Sequence, residues 1–172
     1  MNKLLFVRSI IKTVTMGELI LKPFIKDRIF AMLYKKSMNV KDLASKSNLS
    51  RQTISKLLSN NSYNPKLSTL VAVSNALSIN LDDLLDENTD FSTEKKFHNN
   101  SLDYYQNILI QNVKLYLRRN KQYSLSYNGG VRESTISNIV NKKNSDLRLK
   151  TITSISTQMG VEINYLFTRG EK

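Results

Sequence analysis

The chain has 172 residues, with 26 Lys and Arg against 14 Asp and Glu, a net charge of +12 and a pI near 9.9. That length suits one ordinary domain or two small ones, and the absence of cysteine excludes a disulfide framework or a thiolate metal site. With 2 prolines, 5 glycines and abundant Leu, Ile, Lys, Asn and Ser, an all-α protein is favoured over a β-sandwich. The positive charge points to nucleic acid or, less directly, to an anionic membrane. Enzyme chemistry finds no support. The single histidine, His98, lies in the polar run KKFHNN and reads as a solvated linker residue, and no glycine-rich phosphate loop is present. Asp82, Asp83, Asp86 and Glu87 read as a solvated helix end, because a metal site needs ligands converging from several elements. No cofactor and no metal are expected.

In chain order, residues 1–22 form a broken apolar arm. Arg8, Lys12 and Glu18 interrupt it, so it is too short of apolar residues to span a membrane. It resembles a secretory signal only weakly. The arm packs on the first domain, forms a dimer contact, or precedes a true start at Met16; a packing or dimer role is favoured. Pro23 sets the start of a helix whose Phe24, Ile25, Ile29, Met32 and Leu33 share one face. Lys26, Arg28, Lys35 and Lys36 fall mostly elsewhere, on the surface. That helix ends near Lys36, and Asn39 is placed to cap the next.

Residues 39–60, NVKDLASKSNLSRQTISKLLSN, predict two short helices joined by a tight turn. Leu43 and Ala44 lie on the inner face of the first helix, Ser47-Asn48 makes the turn, and Leu49 fills the space beneath it. Ser50 is a helix-capping residue, after which Ile54, Leu57 and Leu58 face inward. Arg51, Gln52, Ser55 and Lys56 then face outward. Arg and Gln offer paired donors and acceptors to base edges, while Ser and Lys reach phosphates. The run SNNSYNPK is a loop. Helices follow over Leu67–Leu77 and near Leu81–Leu85, and polar residues 88–101 read as a linker, although Phe91 and Phe97 can dock on a neighbour.

The 39–60 stretch resembles the helix-turn-helix of the Cro/phage-repressor (XRE-type) family. The likeness runs from about Phe24 to Glu87 and includes Leu67-Ser68-Thr69-Leu70 and the INLDDLL of Ile79 to Leu85. The resemblance implies a five-helix, lambda-repressor-like domain over residues 23–87 that binds double-stranded DNA. It implies base reading by Arg51 and Gln52, with Lys56 at bases or backbone. Ser50, Ser55, Asn61 and Lys66 would fix the register on phosphates. Family members commonly act as homodimers and as repressors of phages, plasmids and other mobile elements, and some are antitoxins. A cytoplasmic protein encoded by a bacterium or phage is thereby expected.

The second half repeats the first at an offset of 82 residues. Leu33-Tyr34 matches Leu115-Tyr116, Thr53-Ile54-Ser55 matches Thr135-Ile136-Ser137, Leu57-Leu58 matches Ile139-Val140, and Leu67 and Thr69 match Leu149 and Thr151. Core positions stay apolar while outward ones drift. The expectation is therefore an all-α chain of two tandem five-helix domains, the second over residues 102–169. Its candidate DNA contacts are Gln122, Arg132, Glu133, Ser134 and Asn138, with Lys142, Lys143 and Arg148 as a basic rim. Glutamate at 133 can accept from a cytosine amino group but is repelled by phosphate. Gly129-Gly130 suggests a loose turn, and Ser126 replaces a small alanine. The second domain is thus either a second DNA reader or a pairing or protein-partner surface.

Overall fold

In a computed structural model the described residues are 23–59, 62–90, 95–127, 130–143 and 146–169. Residues 1–22, Asn61, Phe91 and Gly129, on which expectations fell, lie outside them. The described residues are helical, with no strand beyond one isolated bridge. The α-helices are α1 (Pro23–Lys35), α2 (Val40–Ser47), α3 (Arg51–Ser59), α4 (Leu67–Ala76), α5 (Leu81–Leu85), α6 (Leu102–Leu117), α7 (Glu133–Val140) and α8 (Leu149–Met159). With them stand the 3-10 segments η1 (Gln122–Leu125) and η2 (Ile163–Phe167).

Four element starts in the first half recur 82 residues later: α2 and η1 at 40 and 122, α3 and α7 at 51 and 133, α4 and α8 at 67 and 149, α5 and η2 at 81 and 163. Among the described residues the second half nevertheless shows three α-helices, η1 and η2 where five helices were expected. The reason is local. Asn39 accepts from the Lys41 and Asp42 amides, and Asp42 accepts in return from the Asn39 N–H, a complete capping box for α2. Lys121 and Ser124 hold the corresponding places, and Lys121 makes no side-chain cap. Those bonds are absent before η1, which forms as a 3-10 turn of 4 residues.

Several helices end in the same way. Asn48, Ser78 and Gly160 adopt left-handed backbone conformations, and the next amide reaches back five residues: Leu49 to the Ala44 carbonyl, Ile79 to Ser74, Val161 to Ser156. This closure satisfies carbonyls that the helix leaves open. Gly130 occupies the position matching Asn48, and its surroundings are tight, contrary to the expected loose turn. A Cβ there would stand 2.1 Å from the Leu125 carbonyl oxygen. The Val131 N–H donates to that same oxygen at 2.8 Å.

One hydrophobic core runs through both halves. It includes Ile29, Leu43, Ile54, Leu57, Leu70 and Leu84 from the first and Val113, Leu125, Ile136, Ile152 and Leu166 from the second. Burial of one such side chain is worth about 1.5–3 kcal/mol. Along the seam α5 packs against η2, and α6 packs against both η2 and α4. Tyr105 of α6 is buried there, edge-on to Phe167, and its hydroxyl accepts the Leu81 N–H at the start of α5.

Two surface assignments change. Arg28 is buried, not on the surface; its guanidinium donates to the carbonyls of Asp83 and Thr89. Lys26 is buried as well. The acidic cluster is correspondingly not wholly solvated: Asp83 is buried and paired with Lys95, and burial pushes the Asp82 carboxyl above its usual range. Residues 95–100 are pinned to the first half, since Asn80 bonds the Lys96 carbonyl and the His98 N–H, and Asn75 donates to the Asn100 carbonyl.

Candidate nucleic-acid interface

Helix α3 is fixed from beneath and from its start. Ile54, Leu57 and Leu58 are buried, and the Ser50 Oγ accepts the Thr53 N–H at 3.0 Å. Ser50 therefore caps the helix, as expected, and its hydroxyl is already committed to Thr53. Arg51, Gln52, Ser55 and Lys56 are all exposed on the opposite face. The side chains of Arg51, Gln52 and Lys56 have no hydrogen-bond or ionic partner among the described residues. The arrangement is a rigid helix with free donors on its outer side, which is what contact with base edges and phosphates requires.

Helix α7 is likewise held from beneath by Ile136 and Ile139, but Arg132 at its start makes no side-chain cap. Arg132, Glu133, Ser134 and Asn138 are exposed. Glu133 stands in the first turn, where a carboxylate interacts favourably with the helix dipole. The Gln122 amide donates to the Glu133 carbonyl at 3.0 Å and so ties η1 to α7. Tyr123 and Tyr127 are largely exposed beside it.

Of the expected basic rim, only Lys143 is exposed without a side-chain partner among the described residues. The Lys142 ammonium donates to Asn107 of α6 at 2.8 Å. Lys66 and Arg148 face each other across the seam. Lys66 pairs with Asp146 at 3.5 Å, and Arg148 donates to the Asn64 carbonyl at 3.0 Å. Both remain exposed, so they border the surface while joining the halves.

Sequence reasoning missed Asn64 and Asp146. The Asn64 Oδ1 accepts the Lys150 N–H in the first turn of α8, and an Asp146 carboxylate oxygen accepts the Ser68 N–H in the first turn of α4, each at 2.9 Å. Each half thus caps a helix of the other, while the local cap positions, Lys66 and Arg148, make no side-chain cap. The signal was a helix start preceded by a residue unable to accept a bond.

Residues 28–90 match the sequence model of the Cro/C1-type HTH DNA-binding domain, so the chain contains one such domain. That match covers α2 and α3 and nearly all of the expected first domain. No curated protein and no solved structure matches the chain. No helix among the described residues is long and apolar enough to cross a membrane, and no group of metal-ligating side chains occurs among them.

Proposed function

We propose that this protein is a sequence-specific double-stranded DNA-binding transcriptional regulator, a repressor of a mobile element such as a phage or plasmid, with two reading domains in one chain. The observation that carries the proposal is the unpaired outer face of α3, inside the span that matches a DNA-binding domain. In this reading Arg51 and Gln52 contact bases, each bidentate pair being worth about 1–3 kcal/mol of discrimination. Lys56 and Lys143 supply phosphate contacts, which make affinity fall with salt.

The second half is read as a further copy of the fold because its elements begin at the same spacing and its apolar positions face the same core. Arg132, Ser134 and Asn138 take the outer positions of its recognition helix. A rival reading assigns this half to a protein partner. Glu133, which phosphate repels, and the exposed Tyr123 and Tyr127 favour it.

A footprint on DNA selected from a random pool tests both readings. Arg51→Ala/Gln52→Ala should abolish protection over one part of the site, and Arg132→Ala/Asn138→Ala over another. Loss with the first pair alone would transfer the second half to a protein partner. Loss with neither would refute DNA reading by these helices.

A further inference from the structure

Resting on the two-reader proposal, we infer that one chain is an intramolecular pseudo-dimer: α3 and α7 are related by an approximate two-fold axis and read two unlike half-sites in inverted orientation at one fixed spacing. The isolated antiparallel bridge pairs Lys66 with Arg148, residues at matching places in the two halves. Its two hydrogen bonds are reciprocal. Leu67 N–H donates to the Leu147 carbonyl and Leu149 N–H to the Pro65 carbonyl, both at 2.8 Å.

The surrounding contacts obey the same exchange. Asn64 caps α8 and Asp146 caps α4, at equal distances of 2.9 Å. Lys66 reaches the residue at 146 and Arg148 reaches the residue at 64. Exchanging the halves maps each contact onto its partner, as across an isologous two-fold interface. A head-to-tail tandem would instead join unlike surfaces. The packing of α5 against η2, again matching segments, is a second self-equivalent contact and places the axis through both seams.

Duplex DNA carries local two-fold axes of its own, and paired recognition helices meet half-sites one helical turn apart, about 34 Å. A two-fold pair inside one chain therefore meets inverted half-sites without a second copy. The outer faces of α3 and α7, taken with the residue that precedes each helix, differ at four of five positions. Ser50, Arg51, Gln52 and Lys56 correspond to Arg132, Glu133, Ser134 and Asn138, while Ser55 and Ser137 are alike. The half-sites thus differ in sequence though not in geometry.

The test is to make the two faces alike. The variant Arg132→Ser/Glu133→Arg/Ser134→Gln/Asn138→Lys should select a perfect inverted repeat from a random pool. The reverse variant, Ser50→Arg/Arg51→Glu/Gln52→Ser/Lys56→Asn, should select an inverted repeat of the other half-site. It guards against misfolding of the first, and circular dichroism checks both. Reversing one half-site should weaken binding at least roughly thirty-fold, the worth of two bidentate contacts, and the wild-type complex should contain one chain per site. Selection of a direct repeat, or equal binding at several spacings, overturns the two-fold arrangement and leaves two-domain reading intact. Recovery of a single half-site by both variants refutes two-domain reading itself.

Discussion

The two halves place equivalent core residues at equivalent points, yet they differ in how their first short helix is made. In the first half Asn39 and Asp42 cap each other and α2 runs for 8 residues. In the second half Lys121 and Ser124 stand in those places and η1 runs for 4. Leu43 and Leu125 are nevertheless both fully buried. Burial thus places both segments alike, while the capped one forms 8 residues of helix and the uncapped one a 3-10 turn of 4. The turn that follows shows the same division, left-handed Asn48 in one half and tightly enclosed Gly130 in the other.

The largest effect should come from that turn. Gly130→Ala drives a methyl against the Leu125 carbonyl, and overpacking of this kind costs about 1–3 kcal/mol. Asn48→Gly, at the matching position, should change stability by no more than about 1 kcal/mol, since glycine tolerates the left-handed conformation. Urea denaturation of both variants measures the contrast, and similar losses would show that the two turns are equivalent after all.

Next in size are the crossed caps. Asp146→Ala should cost about 1–2 kcal/mol, losing both a cap and a carboxylate at the start of α4, while Asn64→Ala should cost about 1 kcal/mol. Thermal melts should show one transition lowered by each change. If Asp146→Ala left the melting temperature unaltered, the halves would not depend on each other for capping.

The smallest effect concerns the helix that differs. Asn39→Ala should remove about 1 kcal/mol by dissolving the capping box. Lys121→Asn/Ser124→Asp should add helical signal in far-ultraviolet circular dichroism by rebuilding the box before η1. No gain would mean that Gly130 and its contact with Leu125, not the missing cap, hold this segment as a 3-10 turn.

These contrasts also explain what could be read from the residues alone. Ile54, Leu57 and Leu58 were legible as core because helical periodicity reports one buried face. Ser50 and Asn39 were legible as caps because their partners lie within three residues. Asn64 and Asp146 were not, because the amides they satisfy lie 86 and 78 positions away in the chain. Arg28 was misplaced on the surface for a similar reason, since the carbonyls that accept its guanidinium come from residues 83 and 89. At the candidate interface the outward set on α3 followed from periodicity. The diversion of Lys142 to Asn107 and of Arg148 to Asn64 required the tertiary structure.

The Lys66–Arg148 bridge has a consequence for copy number. Two separate subunits joined by such a seam part company when they become scarce, because their association follows mass action. Here a continuous chain joins them, and tethering supplies a local concentration that does not fall with the number of molecules. The matched faces accordingly stay together even when a single molecule is present.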